Sequence, residues 1–253
     1  MAEDSIAKPF SRENFESAIE AIRKNKKIND ILITGGDAFM IPTEIIDEAM
    51  NRLFAIDHID TIRFGTRTIV TLPQRITSDA KLVSIFKKHM KSAIKKDKDI
   101  IINTQFNHPK EITEQSKKAI KLLREVGCRL QNQSVLLRNV NDKIEILEEL
   151  YHKIFVLGIR PYYLYQGIPT PGSNFRYTTI SKGLEIMRQM YERQNLSGHE
   201  KPRYIYADSK YGKIILPPPG VEYKISYEVD DGKKYEKFTF PWKDGEISSK
   251  IQV

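Results

Sequence analysis

The sequence predicts an α/β fold of the barrel kind, and three observations lead there. Apolar, strand-like runs alternate with helix-length amphipathic segments from residue 11 to about residue 194. The strand-like runs show little polar alternation, as expected of strands covered on both faces. Five successive strand exits end in glycine or hydrogen-bonding side chains: "TGGD", "GTR", "FNHP", "NQS" and "YQG". Strand–helix–strand order demands parallel pairing, which a doubly wound sheet and a (β/α) barrel both satisfy. In a doubly wound sheet the polar exits concentrate at the switch point, whereas a barrel gathers them all at its C-terminal mouth. Polarity at every exit favours the barrel.

Each element has its own local reason. Ser11 can cap a helix in which Phe15, Ile19 and Ile22 recur at helical spacing. "DILITGG" (30–36) is an apolar strand running into two glycines. An amphipathic helix follows over 42–56, with Pro42 near its start, then a strand over 60–67. Residues 78–96 read as a helix and 99–109 as a strand. Helix 111–127 is stopped by Gly127, and strand 128–137 follows it. Helix 142–158 is stopped by Gly158 and leads to strand 159–167 and helix 180–194. After residue 200 the pattern changes to the short strands "RYIYAD", "GKIILPP", "VEYKISYEV" and "KKYEKFTF", with a hairpin signal at "DDG" (230–232). The expected division is 1–200 for the barrel-like part and 201–253 for a small C-terminal β appendage.

Composition narrows the function. The 253 residues are 40 % hydrophobic, enough to bury a substantial core. Net charge is +8, and "KKHMKSAIKKDK" (87–98) alone carries six lysines. That run reads as a solvated helix face, because no interleaved aromatics or nucleic-acid motif accompany it. No stretch approaches the roughly 18 apolar residues of a membrane span. One cysteine, Cys128, excludes a disulfide within the chain, and a cytoplasmic location is expected. The five histidines show no zinc-binding spacing, and neither a hydrolase elbow nor a P-loop occurs. His108, in "FNHP", is the one histidine at a strand exit, while nothing in periodicity separates Lys213 from other lysines. "TGGD" by itself is an equally good structural turn.

Taken together, "ILITGGDAF", "IDTIRFGTRTIVTLPQRIT", "INTQFNHPKEIT", "LQNQSVLLRNVND" and "RPYYLYQ" resemble the lysine 2,3-aminomutase family of radical S-adenosylmethionine (SAM) enzymes. The resemblance runs from about residue 11 to 190 and more loosely to Lys213. It implies a partial (β/α), TIM-like barrel and an isomerase that moves an amino group between adjacent carbons. In that chemistry a [4Fe-4S] cluster cleaves SAM to a deoxyadenosyl radical. The radical takes hydrogen from the β-carbon of an amino acid held on pyridoxal phosphate (PLP). The resemblance gives Gly35, Gly36 and Asp37 to the turn that holds the amino acid end of SAM, and places His108 and Gln133 beside SAM and PLP. It makes Lys213 the PLP-binding lysine and Asp208 a counterpart of a substrate-binding aspartate.

Three departures from the family pattern matter. The cluster's C-x-x-x-C-x-x-C has no counterpart here, so the first barrel strand and its cysteine loop are expected to be missing and the metal ligands absent. Where lysine-specific enzymes carry an aspartate after "YYxYQ", this chain reads Gly167-Ile168-Pro169-Thr170. Their glycine-rich run before the PLP lysine is here "DSKYGK". The expected function is that of a fragment or half of a split aminomutase, inactive alone. Its partners would be an amino acid substrate, a separate cysteine-bearing N-terminal segment and further copies of itself, with no nucleic acid or membrane. The alternatives are a non-catalytic PLP- or SAM-binding protein on the same fold and, more distantly, a phosphate-binding barrel enzyme.

Overall fold

The structure is a computed structural model that describes residues 11–168, 176–208, 210–239 and 246–252. In chain order it contains α1 (Arg12–Lys24), β1 (Asp30–Ile33), α2 (Thr43–Phe54), β2 (Thr61–Gly65) and two single-turn helices, α3 (Thr68–Thr71) and α4 (Gln74–Thr77). Then come α5 (Ala80–Ile94), β3 (Asp99–Thr104), α6 (Glu114–Glu125), β4 (Arg129–Leu136), α7 (Ile144–Val156), β5 (Ile159–Gln166) and α8 (Ile180–Glu192). The last strands are β6 (Arg203–Asp208), β7 (Gly212–Ile215), β8 (Lys224–Asp230), β9 (Lys233–Thr239) and β10 (Glu246–Gln252).

Strands β1 to β7 stand in one sheet in sequence order. β1, β2 and β3 pair in parallel, as do β5 and β6, and β7 returns antiparallel to β6. The order never reverses, so no switch point exists and the winding is that of a (β/α) barrel. "RYIYAD" and "GKII" therefore extend the large sheet, because β6 hydrogen-bonds to β5; the separate antiparallel sheet is β8–β9–β10. Its first hairpin turns through Asp231 and Gly232, both at positive φ.

The chain forms two compact units: Met1–Thr104 with Thr113–Gln131, and Gln105–Ile112 with Asn132–Val253. In the first, alternation on β2 sends Ile62 and Phe64 into the core, where Phe64 meets Phe39 and Phe86 at centroid separations of 6.1 and 5.2 Å. Each fully buried ring contributes about 1.5–3 kcal/mol. The register of α5 is set by Asp79, whose carboxylate caps Leu82 N, accepts from Thr43 Oγ1 and pairs with Arg75. Arg75 brings α4 into that network, and α3 and α4 together occupy a stretch that the sequence reading leaves unassigned.

In the second unit Tyr151, Leu147, Leu150 and Ile154 of α7 are fully buried, as are Leu164 of β5 and Met190 of α8. Tyr204 donates to Gln166 Oε1, and Gln166 Nε2 donates to the Gly167 and Thr178 carbonyls. Gly183 of α8 makes room for this: a Cβ there would overlap the Tyr204 hydroxyl and ring. The first turn of α8 is satisfied from afar. Glu236 of β9, 1 % exposed, accepts from Ile180 N at 2.8 Å and from the Ser181 hydroxyl. A carboxylate at a helix N-terminus is favourably placed.

Candidate functional site

In the first unit the exit of β1 turns through Gly35 and Gly36, at φ +100° and +62°. Side chains enter that region only at a cost. A Cβ added to either glycine would meet no atom within 4 Å, so the space beyond the turn is open to another molecule. Asp37 ends the turn. Its Oδ1 accepts from Phe39 N at 2.9 Å and Thr66 Oγ1 at 2.6 Å, and its Oδ2 accepts from Arg67 N at 2.6 Å. Two of these donors lie at the exit of β2, so Asp37 ties two strand exits together. A carboxylate has about four acceptor positions, which leaves one for a cation.

Next to this turn stands a residue the sequence reading passed over. Asn103 of β3 is the register partner of Gly65 and is 4 % exposed. Its Oδ1 and Nδ2 are both buried with no hydrogen-bond partner among the described residues. Such a group costs about 1–3 kcal/mol unless something satisfies it. The available signal was an asparagine inside the apolar run "DIIINT".

In the second unit the polar exits prove to be partly structural. Asn132 Oδ1 accepts from Phe106 N at 2.7 Å while its Nδ2 donates to Phe106 O at 3.0 Å and Ser134 Oγ at 2.8 Å. Ser134 Oγ also donates to Phe106 O at 2.8 Å. Asn107 Oδ1 accepts from Val135 N, and Asn141 Nδ2 donates to the carbonyls of Asn107 and Val135. These side chains supply the hydrogen bonds that an irregular, buried turn cannot make with its own backbone. His108 belongs to the same turn: its Nδ1 accepts from Lys110 N at 3.1 Å, which leaves Nε2 to bear the proton of the neutral ring. Gln133, between Asn132 and Ser134, points to the other face of β4, and its buried Nε2 has no partner among the described residues.

Lys213 lies on β7 opposite Ala207 of β6. Its Nζ stands 5.5 Å from the Tyr163 ring centroid and 5.6 Å from that of Tyr165. Arg203, the register partner of Tyr163, lies 5.0 Å from the same Tyr163 centroid and 4.9 Å from that of Tyr162. The Tyr163 hydroxyl donates to Tyr162 Oη at 2.8 Å, and burial together with this neighbour pushes its pKa up to about 12. Asp208 is engaged otherwise: its Oδ1 accepts from Lys210 N and Tyr211 N, both at 2.8 Å, and so shapes the β6–β7 turn. Ile168, at the exit of β5, is 42 % exposed, while 169–175 lie outside the described residues. The structure thus brings Lys213 to two tyrosines, one of which also meets Arg203; the sequence had shown these only as the motif "RPYYLYQ" and an unremarked Arg203.

Cys128 immediately precedes β4, is 5 % exposed, and burial pushes its thiol pKa up to about 12. Among the described residues no cluster of three or more His, Cys, Asp or Glu side chains is placed to hold a metal, and no helix is long and apolar enough to cross a membrane.

No family model matches the chain. It is 39 % identical over 221 residues to an L-lysine 2,3-aminomutase of Methanococcus maripaludis, a match covering 87 % of this chain and 48 % of that protein. It is 39 % identical over 219 residues to the L-lysine 2,3-aminomutase of Clostridium subterminale, covering 86 % and 49 %. A glutamate 2,3-aminomutase of Clostridioides difficile is 37 % identical over 221 residues, covering 87 % and 49 %. The chain thus spans about half the length of these curated relatives. In fold it is similar to a radical SAM methyltransferase from Sphaerobacter thermophilus, with a TM-score of 0.51 and 17 % identity over 77 % of this chain and 57 % of that one. Strand order and this likeness together make the fold a partial (β/α) barrel of the radical SAM type. Across most of its length, therefore, this chain is a homologue of the lysine 2,3-aminomutases.

Proposed function

We propose that this chain carries the SAM-facing turn and the PLP-binding lysine of a radical SAM amino acid 2,3-aminomutase. The observation that carries the reading is Lys213, an amine set among aromatic rings with a second cation nearby, in a homologue of aminomutases. These residues fit PLP, which supplies an aldehyde that binds an amino group and a ring system that delocalises charge or an unpaired electron. Lys213 would hold the aldehyde. Gln133 Nε2, a buried donor lacking an acceptor among the described residues, would meet a polar atom of a bound ligand. At the other turn, Gly35 and Gly36 leave room for close approach of SAM, and Asp37 offers its remaining acceptor position to an ammonium. His108, in the second unit, would present its Nε2 proton to a bound ligand.

The residues do not fit an iron–sulfur cluster. Such a cluster takes several thiolates, and these 253 residues hold one cysteine, buried and protonated. The thiolates would come from other polypeptide, and the place for it is β1. That strand ends the sheet order, so among the described residues one edge has no strand partner, and Leu32 is 38 % exposed. Ile31 and Ile33 also help line an apolar cavity of about 210 Å³ against α1 and α2. An uncovered apolar edge strand is a template for pairing.

The substrate is an amino acid other than lysine. Ile168 stands at the exit where a side-chain ammonium would need an acid, and Asp208 is half engaged in its turn. An ammonium without its counter-charge is costly to bury. The test of the central reading is covalent trapping: incubate with PLP, reduce with borohydride, and map the modified peptide. Modification at Lys213 is expected. Modification of Lys210 or of scattered lysines with Lys213 untouched overturns the assignment.

A further inference from the structure

Lys213 does not point where its reaction would take place. By register its Cα is level with Ala207, near the exit of β6, yet Nζ reaches rings on β5 whose register partners are Arg203 and Ile205. The side chain therefore runs back along the sheet toward the strand starts. Ala207, with a single methyl, leaves the path clear. Among the described residues no carboxylate makes an ion pair with Nζ. The Tyr163 hydroxyl is turned to Tyr162, so what Lys213 meets is the ring.

We infer that Tyr163 and Tyr165 form a resting place for the Lys213 ammonium, occupied whenever the amine is not bonded to an aldehyde. This rests on Lys213 being the PLP-binding lysine. Were an incoming amino acid to take over the aldehyde carbon, the C=N bond to Nζ would break as a C=N bond to the amino acid's nitrogen formed. Two N–H protons would leave the amino acid's ammonium and two would be gained by Nζ, so that the imine nitrogen carries one proton before and after. The displaced lysine then needs a place that tolerates a cation and later lets it go. A carboxylate would hold it firmly and compete with the substrate's own charges. Aromatic faces attract a cation weakly and without a counter-charge. Arg203 shares the Tyr163 ring, which weakens the hold further. Tyr163 and Tyr165 are positioning residues in this scheme, acting through Lys213.

The test needs no loaded enzyme. Trace reductive methylation with ¹³C-formaldehyde, read by peptide mapping, gives the reactivity of Lys213 relative to Lys210. Tyr163→Leu is expected to raise that ratio about two- to fivefold, the worth of one exposed cation–π contact. Tyr163→Phe keeps the ring and should leave the ratio unchanged. By NMR, the methyl signal on Lys213 should be displaced by ring current in wild type and Tyr163→Phe and lose much of that displacement in Tyr163→Leu. Tyr165→Leu supplies a second variant should Tyr163→Leu fail to fold. An unchanged ratio and an unchanged signal in a folded ring-deleted variant overturn the resting place. PLP–borohydride mapping of the wild type separates the two claims. Failure to label Lys213 removes the cofactor assignment and leaves the methylation result readable. Labelling with an unmoved ratio removes the resting place alone.

Discussion

Removing the Asn132 side chain should cost far more than removing the Ser134 hydroxyl, although both residues are fully buried and both bond to Phe106. In Asn132→Ala the Phe106 N–H loses its acceptor at 2.7 Å, and Ser134 loses its donor at 2.8 Å. A buried N–H left alone costs about 1–3 kcal/mol, and a small void adds to that, so the total is about 2–4 kcal/mol. In Ser134→Ala the Phe106 carbonyl keeps the Asn132 Nδ2 donor at 3.0 Å. Nothing on the backbone is orphaned, and the loss should be about 1 kcal/mol. Urea unfolding of the two variants gives the free energies, and hydrogen exchange at the Phe106 amide gives the local effect. Exchange should accelerate strongly in Asn132→Ala and little in Ser134→Ala. Equal losses, or a costlier Ser134→Ala, would refute the assignment of this turn's stability to one bidentate asparagine.

Other outcomes follow from single positions. Gly183→Ala should lose about 2–4 kcal/mol, by overlap with Tyr204 and breakage of its bond to Gln166; Tyr204→Phe in the same chain should recover part of it, and a thermal melt showing no loss contradicts the packing. Gly36→Ala meets no atom but must hold φ +62°, so stability should fall by about 1 kcal/mol. SAM affinity, measured by equilibrium dialysis, should fall more steeply, and unchanged affinity speaks against the turn as a SAM site. Cys128 should resist iodoacetamide at pH 8 until urea unfolds the chain, because its thiol is buried. Its folded pKa of about 12 lies above the ordinary 9.0, so its contribution to stability is complete below pH 9 and fades as pH rises toward 12; a rapid reaction in native buffer would contradict that burial.

The alternation of elements was legible because periodicity is a local property. The helices over 78–96 and 142–158 appear as α5 and α7 with ends moved by two residues or so, as fraying and caps allow. Which of the strands after residue 200 join the large sheet was not legible. Whether "RYIYAD" joins the large sheet depends on pairing with β5, a contact between residues 40 apart in sequence, such as Tyr163 and Arg203. At the sites, the glycines of "TGGD" announced themselves by type. Asn132 and Ser134 had looked like mouth residues, yet their side chains serve the backbone. Tyr163 and Tyr165 looked like ordinary strand aromatics, and only register with β6 and β7 shows that they share a face with Lys213.

The carboxylate of Glu236 has a consequence for how the chain is made. Ile180, whose amide it accepts, precedes it by 56 residues. At a ribosomal pace of about 5–20 residues per second, α8 waits about 3–11 seconds for that partner to be synthesised. During this interval Thr179 can hold the amide of Lys182, but the amides of Ile180 and Ser181 have no acceptor of their own. They are bare in the nascent protein, at the helix that packs against Tyr204. A stall in translation between β6 and β9 would prolong exposure of that helix start, and chaperone capture of this intermediate should centre on α8.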